Sequence, residues 1–297
     1  MRRALLACAL AACAADDSAE LMPDAGNGSG SAIVDAPPGP TCTPPAIDQP
    51  WLATQLGSVT MELASAARAT TTQRTSARNK LQTQLTALGL SPALQSYTTG
   101  ANVTARIAAT TQTTKRIILG AHFDTVPNSS GANDNASGTA VVIAVARYLK
   151  DMPCRQYNVD IVLFDEEEVG LVGARAYAQT LSSADVIAVH TVDQVAWDSD
   201  NDHRFELEMP TVTLEMQYKA AASALGVPTT TTTTEGTDHE AFRDRGFAAV
   251  GLTEEYVGGD TSPYRHLTTD TYSTVDATYQ ALAAKLVASV LITELTP

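Results

Sequence analysis

Residues 116–121 read Arg-Ile-Ile-Leu-Gly-Ala, a short and almost wholly apolar run. A run of this length predicts a strand that is buried on both faces, as in the parallel sheets of α/β proteins. Two further apolar runs follow at residues 159–164 and 186–192, and helical patterns occupy residues 137–150 and 169–181 between them. Buried strands that alternate with helices predict an α/β sandwich around a largely parallel sheet.

The flanking sequence extends this pattern in both directions. The predicted strands cover 92–110 and 204–209, with a further apolar run at 247–252, and the predicted helices cover 50–67, 73–89, 211–225, 239–245 and 276–294. The threonine-rich stretch 229–234 is interpreted as a loop. No pattern inside residues 46–297 suggests a second domain, so we expect one domain there.

Composition narrows the class of protein. The chain has 297 residues, of which 44% are hydrophobic, and this is enough for a sizeable core. Its formal net charge is −14, which argues against binding to nucleic acid because such a surface cannot neutralise phosphates. The charge suits a protein outside the cytoplasm, and we expect a monomer.

The N-terminus carries an export pattern. Met1-Arg2-Arg3 is basic, and the apolar run at residues 4–12 is too short to span a bilayer. The run ends in Leu-Ala-Ala before Cys13, which resembles the site at which bacterial lipoproteins are lipidated. We therefore expect an exported protein with a signal over residues 1–12, either a periplasmic, outer-membrane or cell-surface lipoprotein anchored through Cys13 or a secreted protein.

Residues 13–45 are rich in Ala, Asp, Gly, Ser and Pro and show almost no apolar periodicity. Such a composition predicts a low-complexity tether between an anchor and a folded domain. Cys42 and Cys154 remain in the exported chain, where two cysteines can pair and clip this segment to the domain. Two unrelated thiols are the alternative, which spacing does not exclude.

Polar side chains follow the predicted strands at the point where each one ends. The four segments are His122-Phe123-Asp124-Thr125, Gly131-Ala-Asn-Asp-Asn-Ala-Ser-Gly138, Asp165-Glu-Glu-Glu-Val-Gly170 and His190-Thr-Val-Asp193. Sites in open α/β sheets form beyond the carboxyl ends of the strands. Imidazoles and carboxylates without a Ser or Cys nucleophile motif favour a divalent metal with mixed nitrogen and oxygen ligands.

In their order along the chain these segments resemble the co-catalytic di-zinc aminopeptidases of the bacterial leucyl aminopeptidase and aminopeptidase Y type. The matching elements are HFDT at 122–125, GANDNASG at 131–138, EEVGL at 167–171, Asp193, and His266 before a Thr-Thr-Asp-Thr tail. The resemblance covers roughly residues 75–295. It implies a three-layer, phosphorylase/hydrolase-like sandwich whose mixed, mostly parallel central sheet is flanked by helices.

The resemblance also implies a role for each matching residue. His122 and Asp193 correspond to ligands of one zinc, Glu168 and His266 to ligands of the other, and Asp134 to the carboxylate that bridges both. Glu167 corresponds to the general base, with Glu166 as the alternative because three glutamates run together. Asp124 corresponds to the aspartate that fixes the ring of the zinc-binding histidine.

The charge count agrees with two zinc ions per chain. Asp134, Asp193 and Glu168 bring three negative charges into one pocket, and their repulsion would force some of them to take protons if no cation were bound. Two divalent ions and one hydroxide bring the sum to zero. The resemblance then implies hydrolysis of the N-terminal peptide bond of peptides that have a free N-terminus.

Several alternatives stay open at this point. His239 is a rival for the fifth ligand, although Asp238 and His239 are expected to lie beside the ligands or on the substrate side. A carboxypeptidase or dipeptidase could use the same pair of metals, and a carboxypeptidase would need a basic group such as Arg265 or Arg243 for the substrate carboxylate. A glutaminyl cyclase uses a similar scaffold, and an inactive, lipid-tethered binding protein would keep only the fold.

Overall fold

The computed structural model describes residues 42–297, which form one compact unit. The predicted signal, the lipidation at Cys13 and most of the tether lie outside the described residues. The boundaries of the predicted domains therefore stay predictions. Within residues 42–297, no helix has both the length and the apolar character needed to cross a membrane.

Eight strands form one mixed sheet in the order β1-β2-β4-β3-β5-β8-β6-β7. The strands are β1 Ala93–Ser96, β2 Ala101–Ile107, β3 Arg116–His122, β4 Asn158–Phe164, β5 Val186–Val192, β6 Phe205–Glu208, β7 Thr229–Thr232 and β8 Ala249–Thr253. The central strands β4, β3, β5 and β8 are parallel, and antiparallel pairs flank them on both sides. The predicted mixed, mostly parallel sheet is confirmed.

Seven helices cover the two faces of the sheet in the described chain. They are α1 Leu52–Leu63, α2 Thr71–Ala87, α3 Gly138–Lys150, α4 Val172–Ala178, α5 Val212–Leu225, α6 Asp238–Arg243 and α7 Ala277–Leu295. The larger core lies under α1, α2, α3, α5 and α7, and the smaller one lies under α4 and α6. The three-layer α/β sandwich is thereby confirmed.

Strand β3 faces both helical layers of the sandwich. Ile117 and Leu119 of β3 point into the larger core, and Ile118 points into the smaller one. All three side chains are fully buried, so each residue of the strand removes apolar surface from water. This two-sided burial explains why the run is apolar throughout instead of alternating.

One predicted loop is wrong. The stretch 229–234 contains the edge strand β7, whose residues Thr229–Thr232 pair in parallel with β6. Threonine is β-branched and favours extended backbone, but six identical polar residues hide the alternation that identifies a half-buried strand. The threonine-rich composition therefore led to the wrong prediction for this stretch.

Helix ends also differ from the predictions. The first helix ends at Leu63 instead of residue 67, and the second begins at Thr71 after a capping box between Thr70 and Gln73. The helix predicted from residue 169 begins only at Val172, because Leu171 has a left-handed backbone with φ 59°. Local hydrogen bonds, which periodicity does not show, set these ends.

The structure brings Cys42 and Cys154 together as a disulfide whose Cα atoms are 5.7 Å apart. The two residues are 112 positions apart in the chain. The bridge joins the start of the described residues to the segment between α3 and β4, as the pairing hypothesis expects.

Candidate metal centre

The candidate site lies at the carboxyl edge of the three adjacent parallel strands β4, β3 and β5. His122 is the last residue of β3, Asp193 directly follows β5, and Glu167 and Glu168 follow β4. Asp134 comes from the irregular turn Ala132–Ser137 that leads into α3. Parallel strands end at one edge of the sheet, and this topology gathers side chains that are far apart in sequence.

Asp134 stands between two histidines. Its Oδ1 atom lies 3.4 Å from Nε2 of His122, and its Oδ2 atom lies 3.1 Å from Nε2 of His266. On one side, His122 Nε2 is 3.2 Å from Asp193 Oδ1. On the other side, His266 Nε2 is 3.2 Å from Glu168 Oε2. Each oxygen of the Asp134 carboxylate therefore faces a different histidine, and each histidine in turn faces a second carboxylate.

The donor atoms fit divalent cations. His122, Asp134 and Glu168 each offer a ligand atom, and these atoms all lie within 4.8 Å of one another, as do those of His122, Glu167 and Asp193. Buried side-chain atoms normally find hydrogen-bond partners. Asp134 Oδ2, Glu168 Oε1 and His122 Nδ1 are buried and make no hydrogen bond. Nitrogen and oxygen donors left without partners in this way suit zinc.

Crowded carboxylates alter proton affinity in the metal-free site. Burial, assisted by the Asp134 carboxylate, raises the pKa of Glu168 from 4.5 to about 7. Burial also raises the pKa of Glu167 well above its usual value, and the Asp193 carboxylate adds to this shift. Burial alone would lower the pKa of His122, but Asp193 and Glu167 raise it well above 6.5. Without cations the pocket therefore holds protons at neutral pH.

A pH dependence of stability follows. Between about pH 4.5 and 7, the folded metal-free protein keeps a proton on Glu168 that the unfolded chain releases, so the folded state loses stability as the pH rises. We expect Glu168 to contribute a fall of roughly 3 kcal/mol or less to the free energy of unfolding of chelated protein across this window. Urea denaturation at pH 5, 6, 7 and 8 measures it.

Zinc-saturated protein is the control for that series, because bound ions replace the proton on Glu168 and the part of the fall that Glu168 contributes should disappear. Glu168→Gln, measured without metal, should also flatten the dependence. Chelated wild-type protein that becomes more stable between pH 5 and 7 would contradict the assigned surroundings of Glu168.

Asp124 orders the residues around the pocket. Its Oδ1 and Oδ2 atoms accept hydrogen bonds from the backbone N–H groups of Glu167 (3.0 Å) and Glu168 (3.2 Å). The Oδ1 atom also lies 3.5 Å from Nδ1 of His122. One carboxylate therefore faces the ring nitrogen of His122 that points away from Asp134 and also holds the backbone of the glutamate pair.

Glu166 points away from the pocket. Its carboxylate pairs with Arg74 Nη2 at 2.7 Å and accepts a hydrogen bond from Thr99. The preceding Asp165, whose side chain is fully buried, pairs with Arg74 at 2.8 Å and Arg78 at 2.5 Å. This buried cluster anchors the chain directly before Glu167, which leaves Glu167 as the glutamate that faces His122.

The anchoring role of this buried cluster can be tested by measuring the free energy of unfolding. Arg74→Met leaves Asp165 and Glu166 buried with one fewer cation, and removal of one partner from a buried pair costs about 3 to 5 kcal/mol. Arg175 is the matched control, because its pairs with Glu240 and Asp244 are exposed and worth about 0 to 1 kcal/mol. Urea denaturation compares Arg74→Met with Arg175→Met. Equal losses would show that the buried cluster is no anchor.

The loop that carries Asp134 is held from two sides. The guanidinium of the fully buried Arg68 donates to the carbonyl of Gly131 at 2.8 Å. The carboxylate of Asp270 accepts from the backbone N–H groups of Asn133 (2.8 Å) and Asp134 (3.1 Å). Sequence reasoning assigned no role to either residue. Asp270 lies in the Thr-Thr-Asp-Thr tail that forms part of the family resemblance, and this position was the signal that could have identified it.

Asp238 and His239 take different positions. Asp238 is buried, its Oδ1 atom makes no hydrogen bond, and the pKa of its carboxyl is raised, first by burial and further by Asp193. His239 Nδ1 lies 2.7 Å from Thr237 Oγ1 and 3.3 Å from Glu208 Oε2. The structure therefore directs His239 Nδ1 toward Glu208, whereas His266 faces Asp134.

Backbone strain concentrates at this edge of the sheet. His266 has φ 62°, Glu166 has φ 60° and Gln194, which follows Asp193, has φ 49°. Residues other than glycine adopt such values at a cost, and they persist where the surroundings require them. His266 is itself a candidate site residue, and Glu166 and Gln194 are the chain neighbours of Glu167 and Asp193.

Fold and site together define a candidate metallopeptidase, with a cluster of imidazoles and carboxylates at the strand ends of an α/β sandwich. Residues 102–291, well over half of the chain, match peptidase family M28, and the protein belongs to this family. The resemblance to zinc aminopeptidases that the sequence shows is thereby confirmed.

Individual relatives agree with this assignment. Aminopeptidase YwaD of Bacillus subtilis is 41% identical over 70 residues, which are 24% of this chain and 15% of the relative. The probable lipoprotein aminopeptidase LpqL of Mycobacterium tuberculosis is 40% identical over 65 residues, 22% of this chain and 13% of the relative. The matched stretch thus spans less than a sixth of either relative.

Solved structures show the same fold. The Legionella pneumophila aminopeptidase LapA superimposes with a TM-score of 0.75 at 19% identity, over 82% of this chain and 72% of its own. Porphyromonas gingivalis glutaminyl cyclase gives a TM-score of 0.72 at 18% identity, over 82% of this chain and 98% of its own. At these identities the likeness establishes architecture.

Proposed function

We propose that this protein is a zinc-dependent aminopeptidase that removes the N-terminal residue of peptides. The observation that carries the proposal is the position of Asp134, whose two oxygens face His122 and His266 separately. His122 and Asp193 would hold one ion, Glu168 and His266 the other, and Asp134 both. The family membership and the names of YwaD and LpqL support peptide hydrolysis.

Two zinc ions bound there would lower the pKa of a water molecule and polarise the scissile carbonyl. Glu167 takes the proton from the attacking water and passes it to the departing amine, so that one peptide bond is broken for each water consumed. Its carboxylate Oε2 lies 3.9 Å from His122 Nε2, at the pocket.

The pocket also explains the choice of a free N-terminus. Asp238 is a buried carboxyl group close to Asp193, and no lysine or arginine of the described chain is in salt-bridge contact with it. An ammonium group is the cationic part of a peptide N-terminus, and carboxylates attract it most strongly where water is excluded. The chain would therefore bind the substrate amine beside the ions and trim one residue at a time.

The likeness to glutaminyl cyclase concerns the fold and gives no argument for cyclisation. The Glu167-Glu168 pair favours hydrolysis. Export and a lipid anchor at Cys13 remain predictions. They are supported by the name of one relative, the probable lipoprotein aminopeptidase LpqL.

The test uses purified protein, leucyl-4-nitroanilide and a panel of other aminoacyl-anilides. We expect release of the aniline that stops with a chelator and returns with added zinc. A glutaminyl peptide in the same assay should give free glutamine and no cyclic product. Absence of zinc-dependent release from every substrate would favour the binding-protein alternative, and a cyclic product would favour the cyclase.

A further inference from the structure

Arg265 is the one lysine or arginine of the described chain that lies within salt-bridge distance of a candidate ligand. Its Nε atom is 3.5 Å from Oδ2 of Asp134, is buried and makes no hydrogen bond. The side chain is 34% exposed, so the guanidinium borders both the pocket and solvent. Its central carbon lies 5.4 Å from the ring centroid of Tyr256.

The local charge changes when cations are bound. The carboxylates of Asp134, Asp193 and Glu168 together carry three negative charges, and two divalent ions with one hydroxide would neutralise them. Arg265 would then be a cation beside a neutral centre, with no other carboxylate in contact among the described residues. A guanidinium in this position favours an anion that arrives from solvent.

We propose that Arg265 recognises a carboxylate on the leaving residue of the substrate. In a dipeptide, the free α-carboxylate lies about one residue, roughly 3.5 Å, beyond the scissile bond. Arg265 adjoins His266 in sequence and reaches the carboxylate between the two proposed ions, so this anion falls within range. The inference rests on the proposed aminopeptidase function and specifies its substrate class, namely dipeptides.

The packing of Arg265 supports recognition of a planar anion. A guanidinium over an aromatic ring is held by cation–π attraction and keeps its edge free for hydrogen bonds. A carboxylate accepts two parallel hydrogen bonds from such an edge. Lysine would supply charge without this fork, which predicts that Arg265→Lys keeps only part of the preference.

The test compares kcat/KM for Leu-Gly with that for the neutral Leu-Gly-amide. We expect the zinc-loaded enzyme to prefer Leu-Gly by about tenfold, mainly through KM, and Arg265→Gln to bring the ratio to about one. Leu-Asp-amide distinguishes an α-carboxylate from a side-chain carboxylate, because it carries only the latter. If it is preferred over Leu-Gly-amide, the site also accepts side-chain carboxylates. Arg243→Gln, on α6, is the matched control and should keep the wild-type ratio.

A binding measurement provides a readout apart from turnover. Calorimetric titration of zinc-loaded Glu167→Gln with Leu-Gly and Leu-Gly-amide should show the same tenfold difference, and adding Arg265→Gln should remove it. A ratio that is unchanged by Arg265→Gln would overturn the role of Arg265, even if anilides are cleaved. Failure to cleave any substrate would overturn the aminopeptidase proposal instead, while the titration would still report on Arg265.

Discussion

Glu167→Gln is expected to lower kcat on leucyl-4-nitroanilide by roughly 100-fold to 10,000-fold without loss of bound zinc. The substitution keeps the shape of the side chain but gives an amide that cannot take a proton from water, and a positioned general base contributes a factor of this size. The backbone N–H of Glu167 is held by Asp124, so the side chain should keep its place. Steady-state kinetics and metal analysis of the same preparation measure both quantities.

Metal content separates two roles for this glutamate, because Glu167 lies close enough to His122 and Asp193 to act as a ligand. Loss of zinc from Glu167→Gln would make it a ligand instead of a base. Glu166→Gln is the matched neighbour and should keep turnover within about tenfold, because Arg74 and Thr99 hold its carboxylate away from the pocket. Full activity of Glu167→Gln would show that the proton goes elsewhere.

His266→Ala is expected to remove about one of the two proposed zinc equivalents and most of the activity. A catalytic zinc has few protein ligands, about three, and tolerates the loss of one poorly. The ring of His266 faces Asp134 and Glu168, at 3.1 and 3.2 Å, so its removal should empty the site on that side. Dialysis against buffered zinc, followed by metal analysis, gives the stoichiometry.

His239→Ala is the control because this histidine is buried and faces Glu208 and Thr237. It should keep both ions, although the cavity in the core is expected to lower stability. Zinc lost from His239→Ala but kept by His266→Ala would mean that the wrong histidine was chosen from the sequence.

The central part of the fold could be predicted because its physical cause is local. The middle of a strand such as β3 is buried on both faces and is apolar from Ile117 to Ala121, which marks it in the sequence. The edge strand β7 has no such requirement, and its threonines resembled a loop. Helix ends depended on single hydrogen bonds and backbone angles, such as φ at Leu171, and periodicity does not contain them.

The candidate ligands were named from a resemblance, and the structure gathers them at one edge of the sheet. The supporting residues were harder to find for a physical reason. Arg68 and Asp270 act on backbone groups far away in the chain, and Arg74 pairs with carboxylates 91 and 92 positions later, at Asp165 and Glu166. Contacts of this kind leave no spacing pattern in a single sequence.

Anomalous diffraction at the zinc edge, from crystals grown with zinc, addresses the central claim most directly. Two peaks are expected, one beside His122 and Asp193 and the other beside Glu168 and His266, with the carboxylate of Asp134 touching both. A single peak, or peaks away from Asp134, would contradict a centre built around that residue.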